Sequence, residues 1–276
     1  MTGRASFTRD DATLAVFDSG AGLPVLFQHG LGGDAAQVAQ TLGAPSDYRR
    51  ITVECRGHGA STLGSARPFS FAMFADDVLA AARDRGIDRL VVGGISMGAA
   101  IALHLAHHHA ARVAALILVR PAWTFAAAPD NMAPIRAIAA LIQSHPLVEA
   151  RQLFIASDMA TRLKADAPDN FASLLGYFDR PDALPFASVL ADIAADGPDV
   201  PEFAAASLTV PTLVIGNAQD AIHPLPSART LAETIRGATF VEVAAKAADK
   251  ARHFAETQAA ISTFLSAPSI RSRVAP

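Results

Sequence analysis

The sequence predicts an α/β fold, in which a doubly wound, mostly parallel sheet carries a helical insertion. Short runs rich in Val, Ile and Leu alternate with helical segments, as in parallel strands that helices cover on both faces. A Gly-x-Ser-x-Gly segment at residues 94–98 stands between an apolar run and an alanine-rich run. The alternation stops between residues 121 and 208, where the sequence has helical periodicity and no convincing strand.

The predicted strands are Thr13–Asp18, Pro24–Gln28, Arg50–Glu54, Arg89–Val92, Val113–Val119, Thr212–Ile215 and Thr239–Val243. The predicted helices of the core are Ala35–Leu42, Phe71–Arg85, Met97–His109, Pro226–Ile235 and Ala251–Leu265. Residues 266–276 are expected to be frayed. No linker suggests a second independent domain, so residues 1–120 and 209–276 form the core and residues 121–208 form the insertion.

Composition excludes several classes of protein. With 276 residues and 51% hydrophobic content, the chain can bury one large core. A net charge of −3 without a Lys/Arg cluster gives no electrostatic footprint for nucleic acid. The single cysteine, Cys55, cannot form an internal disulfide, and no apolar run is long enough to span a bilayer. Residues 1–11 are polar and lack the apolar core of a signal peptide, so we expect a cytoplasmic protein that binds no membrane.

The residue in the middle of the Gly-x-Ser-x-Gly segment is Ser96. A turn of this kind between a strand and a helix holds its serine in a strained backbone conformation and exposes the hydroxyl at the end of the sheet. Ser96 is therefore predicted to be a nucleophile. The alternative is a glycine-rich turn that merely packs tightly.

Two further segments precede this turn. Residues 25–34 run from an apolar strand into a His-Gly loop, and residues 51–61 run from a second strand into an Arg-Gly-x-Gly-x-Ser loop. Together with the serine turn, and in this order, they resemble the α/β-hydrolase superfamily over about residues 13–265. The family usually has Asp at the position of Glu54, where the side chain supports the loop. The resemblance implies that the insertion, residues 121–208, is a helical cap over the active site.

The resemblance also implies a catalytic triad in the order serine, acid, histidine. Asp220 follows the strand Thr212–Ile215 and is the expected acid. Some members carry the acid one strand earlier, but no carboxylate follows Val119 over residues 120–123. The alternative for Asp220 is a turn residue before Pro224.

His253 is the expected base, because it follows the last predicted strand and is the only histidine beyond His223. It would take the proton from Ser96 and return it to the leaving alcohol, while Asp220 fixes its tautomer. The alternative is a solvated histidine at a helix end. Asp249 is the second candidate for the acid, but we expect it to be a carboxylate at a helix N-terminus.

The oxyanion hole implied by the resemblance consists of the backbone N–H groups of Leu31 and Met97. Each such donor typically lowers the barrier by ~3–4 kcal/mol. We expect neither a cofactor nor a metal ion. Although His104 and His108 have the i, i+4 spacing of a metal pair, histidines at a helix end are the favoured interpretation.

Two polar residues near the predicted triad are given structural roles. Arg120 could bind an anionic substrate, but we expect it to pair with a carboxylate of the insertion such as Asp130. His223 follows the acid, and we expect it to be structural rather than catalytic. The aromatic residues of the insertion are mostly core, while a few, such as Phe154 or Tyr177, should face an apolar pocket.

The sequence thus predicts a serine hydrolase that cleaves a small, largely apolar carboxylic ester or lactone through an acyl-enzyme. Alternatives on the same triad are carbon–carbon bond hydrolysis of a dienoic ketoacid, cofactor-free perhydrolysis and aminopeptidase action. The first requires an anion-binding arginine, for which Arg120 is the candidate. A ligand-binding receptor without catalysis is the alternative from another class. The sequence does not settle the oligomeric state.

Overall fold

The computed structural model describes residues 3–44 and 47–274 of the chain. Its centre is a sheet of eight strands: β1 (Gly3–Arg9), β2 (Ala12–Gly20), β3 (Leu23–Gln28), β4 (Tyr48–Val53), β5 (Leu90–Ile95), β6 (Val113–Val119), β7 (Thr212–Asn217) and β8 (Thr239–Val243). They lie in the order β1-β2-β4-β3-β5-β6-β7-β8. The pairs β1–β2 and β2–β4 are antiparallel, and the other neighbours are parallel. The predicted doubly wound, mostly parallel sheet is confirmed.

The helices of the described chain alternate with the strands and also fill the insertion. They are α1 (Ala35–Leu42), α2 (Phe71–Asp84), α3 (Met97–His108), α4 (Ala133–Ser144), α5 (Leu147–Ile155), α6 (Asp158–Asp166), α7 (Pro168–Leu175), α8 (Ala183–Ala195), α9 (Glu202–Ala206), α10 (Leu225–Thr234), α11 (Lys250–Ser266) and α12 (Pro268–Arg271).

Both faces of the sheet are buried. Every residue of β5, β6 and β7 is buried, as expected for central parallel strands. Successive side chains of β6 point to opposite faces, so Ile117 belongs to the core that includes residues of α1 and α11, while Leu116 and Leu118 belong to the core that includes residues of α2 and α3. Burying each such aliphatic side chain stabilises the fold by about 1.5–3 kcal/mol. The two layers of helices thereby fix the carboxyl ends of the strands, where ligands bind in open α/β sheets.

The structure departs from the predicted elements at both ends of the chain. Strand β1 was not predicted, because its residues are mostly exposed and it pairs with β2 as one arm of an edge hairpin. The expected fraying is wrong for residues 268–271, which form α12 with Ile270 buried. Residues 275–276 of the predicted tail lie outside the described residues. Strand β5 continues three residues beyond the prediction, to Ile95.

The chain between β6 and β7 contains α4 to α9 and, among its described residues, no strand. Side chains of α8 and of the residue after it dock this segment on the core. The carboxylates of Asp192 and Asp196 accept hydrogen bonds from the backbone N–H groups of Phe69 and Phe71, at 2.9 and 2.7 Å. The division into a core and a cap of residues 121–208 stays a prediction.

Candidate active site

Ser96 stands at the sharp turn between β5 and α3. Its backbone has φ 55° and ψ −109°, a conformation that L-residues rarely adopt. The turn is held by a hydrogen bond from the Ser96 N–H to the carbonyl of Val119 in the adjacent strand. A Cβ at Gly94 would lie 2.3 Å from the backbone of Gly98, so glycine is required where the strand and the helix meet. This is the geometry that the Gly-x-Ser-x-Gly segment predicts.

Two other non-glycine residues with positive φ lie near the ends of the next two strands. Arg120, directly after β6, has φ 47°, and Gln219, two residues after β7, has φ 57°. Strain of this kind costs about 1–3 kcal/mol per residue and persists only where the surrounding structure enforces it. Three consecutive strands of the sheet therefore end in strained turns at the same edge.

The loop after β3 lies directly against the serine turn. A Cβ built on Gly30 would be 3.4 Å from the Cβ of Ser96. The Gly30 N–H donates to Gln37 Oε1 at 2.7 Å, which fixes the loop to α1. His29 accepts a hydrogen bond from the Cys55 N–H at Nε2 and donates from Nδ1 to the Gly30 carbonyl. Because burial lowers the pKa of His29, this imidazole is a neutral support for the loop.

The predicted oxyanion-hole residues both lie close to the serine turn. Met97 is the first residue of α3, and the first N–H groups of a helix have no acceptor within the helix. Leu31 follows Gly30 and lines the same cavity as Ser96. Their role as an oxyanion hole stays a prediction.

The second loop is organised by Glu54. Its carboxylate accepts hydrogen bonds from the backbone N–H groups of Ala35 and Ala60, at 3.1 and 2.7 Å. The glutamate thus supports the loop, as expected for the position that is usually aspartate in the family.

Asp220 is buried in the loop after β7, where it accepts hydrogen bonds from three side chains. The donors are the guanidinium of Arg120, Nδ2 of Asn170 at 2.9 Å and Nδ1 of His223 at 2.9 Å. The backbone N–H of His223 also donates to it, at 2.9 Å. Burial alone would raise the pKa of Asp220, but the charges and hydrogen bonds of His223 and Arg120 outweigh burial and hold this pKa far below its ordinary value. Asp220 is therefore ionised. The expected pairing of Arg120 with Asp130 is wrong, because Arg120 contacts Asp220.

His253 lies in the first turn of α11 and is 2% exposed. Its Nδ1 hydrogen-bonds to the carbonyl of Ala244 at 2.9 Å, while Glu256 in the same helix accepts from the Ala244 N–H at 2.7 Å. No hydrogen bond among the described residues joins His253 to Asp220 or to Ser96. The structure thus does not assemble the predicted triad as such, and the role of His253 stays a prediction. Asp249 is the N-cap of α11 and accepts from the Arg252 N–H, as expected.

A cavity of about 120 Å³ opens beside Ser96. It is small, since a cavity of about 150 Å³ holds one benzene molecule. Its wall is of mixed polarity, whereas the sequence predicted an apolar pocket. The apolar and aromatic lining residues are Leu31, Ile95, Trp123, Ile135, Leu174, Tyr177 and Ile222, and the polar ones are Gln37, Ser96, Arg120, Asn170, Ser173, His223 and Lys246. Tyr177 lines the cavity as expected, but Phe154 is buried against Phe178 and does not line it.

Sequence reasoning missed two polar residues of this site. Asn170, from α7, donates from Nδ2 to Asp220 and accepts from the Ala221 N–H, so it joins α7 to the loop after β7. Lys246, from the loop after β8, lines the cavity and pairs with Asp169 at 2.8 Å. His223, for which the sequence predicts a structural role, also lines the cavity. The position of Lys246 after a parallel strand was a usable signal, but nothing marked Asn170.

The histidines at the end of α3 contact the segment before α9. Nδ1 of His104 hydrogen-bonds to the Pro198 carbonyl at 2.9 Å, and Nε2 of His108 hydrogen-bonds to the Asp199 carbonyl at 2.8 Å. Their ring nitrogens and the Asp199 carboxylate lie close enough together to hold a metal ion. Both histidines nevertheless have protein partners, as expected for a helix end.

The sequence model of the alpha/beta hydrolase fold family matches residues 24–255. The chain therefore belongs to the α/β-hydrolase fold family, and the resemblance is confirmed. It is 29% identical over 259 residues to the AB hydrolase superfamily protein YisY of Bacillus subtilis (strain 168). This match covers 86% of this chain and 89% of YisY. It is 27% identical over 232 residues to RutD of Klebsiella pneumoniae (strain 342), which is named as a putative carbamate hydrolase. This match covers 79% of this chain and 82% of RutD.

Among solved structures, the enol-lactonase from Burkholderia xenovorans LB400 superposes with a TM-score of 0.73 at 24% identity. The match covers 95% of this chain and all of that chain, and at this identity it shows the fold alone. The family and the names of the relatives support hydrolase activity. Within the described ranges, no helix has both the length and the apolar character to cross a bilayer.

Proposed function

We propose that this protein is a serine hydrolase that cleaves a small carboxylic ester or lactone through an acyl-enzyme, with Ser96 as the nucleophile and Asp220 as the acid. The observation that carries the proposal is the strained turn of Ser96 beside a cavity, with the Gly30–Leu31 loop against it. A serine held in this way presents Oγ at the end of the sheet. A small cavity favours a substrate with a short acyl or alcohol part.

The chemistry follows from these positions. Ser96 Oγ attacks the substrate carbonyl as an imidazole takes its proton, and the oxyanion lies between the N–H groups of Leu31 and Met97. The imidazolium then protonates the leaving oxygen, and water releases the acyl group by the reverse sequence. The sequence predicts that the base is His253, whereas Asp220, the acid of this proposal, contacts His223. No cofactor takes part in this scheme.

Labelling with a fluorophosphonate probe tests the proposal, together with a screen of p-nitrophenyl esters and lactones of graded length. We expect stoichiometric labelling that Ser96→Ala abolishes, and highest kcat/KM for short acyl groups. Labelling that persists in Ser96→Ala would remove Ser96 from the mechanism. A wild-type protein that is neither labelled nor active would favour the receptor alternative.

The cations of the cavity favour a second candidate, hydrolysis of a carbon–carbon bond in a dienoic ketoacid, whose carboxylate needs a positive partner. Arg120 and Lys246 both line the cavity, each beside a carboxylate of the protein. A matched pair of substrates, neutral and carboxylate-bearing, tests this candidate. If an anion is bound, Lys246→Met should raise KM for the charged substrate alone. An equal effect on both substrates would exclude Lys246 from anion recognition.

A further inference from the structure

The base of the proposed reaction has two candidates, and they differ in what they contact. We propose that His223 is the general base that activates Ser96, with Asp220 as the carboxylate that orients it; this assignment rests on the proposed serine-hydrolase function. His223 Nδ1 lies 2.9 and 3.0 Å from the two oxygens of Asp220. His223 also lines the same cavity as Ser96. His223 thus contacts the acid directly and shares with the nucleophile the cavity in which a base would have to reach it.

The surroundings of Nδ1 decide the tautomer of His223. Asp220 is ionised, so a lone pair on Nδ1 would face a carboxylate at 2.9 Å and repel it. Nη2 of Arg120, which can only donate, also lies 3.1 Å from Nδ1, but this guanidinium donates to Asp220 as well, whereas Nδ1 faces both carboxylate oxygens at 2.9 and 3.0 Å. Nδ1 therefore carries the proton and donates a hydrogen bond to Asp220. In the neutral imidazole the other nitrogen, Nε2, then has the free lone pair. This is the nitrogen that a base in a serine triad uses.

His253 is engaged elsewhere. With Glu256 it holds both backbone polar groups of Ala244, so α11 anchors the loop after β8 by this residue. The residue that this loop brings to the cavity is Lys246. The two oxygens of Asp220 are already occupied by Arg120, Asn170 and the loop of His223. His253 is thus a residue that positions the loop.

The charges around His223 suit a base near neutral pH. Burial lowers its pKa below the ordinary 6.5; Asp220 acts in the opposite direction, while the cations Arg120 and Lys246 lower the pKa further. The resting imidazole is therefore neutral. When Ser96 Oγ bonds to the carbonyl carbon, its proton moves to Nε2 and the carbonyl electron pair moves to oxygen. The imidazolium forms next to the ionised Asp220 and later gives its proton to the leaving oxygen.

The hydrogen bond of His223 to an aspartate three residues earlier could also serve the loop alone, so the test must separate the two roles. Asparagine places an amide donor where Nδ1 stood and has no basic nitrogen. His223→Asn therefore keeps the hydrogen bond to Asp220, and His253→Asn keeps the one to Ala244. His107→Asn is the control, at a half-buried histidine about 16 Å from Ser96 along α3.

The variants are compared in kcat/KM for p-nitrophenyl butyrate from pH 5 to 8, in the rate of fluorophosphonate labelling and in melting temperature. We expect His223→Asn to lose about 10⁴-fold or more in kcat/KM, together with the rise of the rate through a histidine ionisation, while it melts within a few degrees of wild type. His253→Asn should retain at least a tenth of the activity and keep that rise, and its cost should appear in melting temperature.

The outcomes separate this assignment from the proposed function. If His223→Asn still shows the rise with pH, or if His253→Asn loses it, the assignment of the base to His223 is overturned while Ser96 chemistry stands. If the wild-type protein is neither labelled nor active, the proposed function fails and the assignment fails with it.

Discussion

Removal of the charge of Asp220 should cost folding free energy as well as turnover. The carboxyl group is 2% exposed, and the guanidinium of Arg120 against it is 11% exposed. Asp220→Asn keeps the shape of the side chain, but it removes the counter-charge of Arg120 and turns one acceptor oxygen into a donor. That donor then faces other donors, from Arg120 and His223.

The size of the effect follows from this burial. Removing one partner of a buried ion pair destabilises a protein by about 3–5 kcal/mol. At about 2–3 °C for each kcal/mol in a domain of this size, the melting temperature should fall by roughly 6–15 °C. Turnover should fall about 10⁴-fold if the acid acts as it does in other triads.

Urea unfolding and calorimetry measure the stability, and hydrolysis of a p-nitrophenyl ester measures the turnover. The control is Asp249→Asn, because Asp249 is an exposed N-cap and asparagine caps a helix as well as aspartate does. Asp249→Asn should leave turnover within a few-fold of wild type and the free energy of unfolding within a few tenths of a kcal/mol. A loss of less than about 1 kcal/mol in Asp220→Asn would refute the reasoning about the buried pair.

The pH dependence gives a second check on this pair. The pKa of Asp220 is held below its ordinary value of 3.8 by His223 and Arg120, which outweigh the opposite effect of burial. The stability that this carboxylate contributes is therefore complete above about pH 4 and is lost as the pH falls below that value. The difference in free energy of unfolding between wild type and Asp220→Asn should shrink between pH 4 and pH 2. If this difference grows as the pH falls from 4 to 2, the predicted direction of the pKa shift of Asp220 is wrong.

Three further outcomes are expected. Ser96→Gly should lower turnover about 10⁶-fold while the melting temperature holds or rises, because glycine relieves the strain at φ 55°; a clear fall in melting temperature would contradict this. Tyr177→Ala should shift the short-to-long acyl preference by tens-fold, whereas Phe154→Ala should cost about 3–5 kcal/mol of stability and leave the preference unchanged. The rate should rise with pH through a midpoint below about 6.5, because burial lowers the pKa of both His223 and His253, and a flat profile from pH 5 to 8 would exclude a histidine base.

The sheet and the serine turn could be predicted because their signals are local. Buried parallel strands have continuous apolar runs, and the turn at Ser96 needs glycine at two fixed positions. Strand β1 escaped prediction because pairing with β2 requires backbone hydrogen bonds but no apolar face. The sequence predicts that the insertion is helical, but it does not predict how its helices are arranged. That arrangement depends on contacts such as the hydrogen bond from the Phe71 N–H to Asp196, which hydrophobic periodicity does not reveal.

The contacts within the site were less predictable, because they join residues far apart in the chain. The sequence places Arg120 and Asp220 after neighbouring strands, but it does not predict that the two residues form an ion pair. The choice of His253 used chain order alone. Only the structure shows that His253 Nδ1 faces the Ala244 carbonyl and that His223 faces Asp220.

The contact between Asp220 and His223 spans three residues of a single loop. The relative position of this carboxylate and this imidazole is therefore set by the local backbone after β7, without help from β8 or from the chain that follows it. Insertions, deletions or a new chain terminus around Gly237, in the turn before β8, would leave the pair together. A change in the length of the sheet edge beyond β7, or in the residue at position 246 that lines the cavity, should accordingly leave the contact between Asp220 and His223 in place.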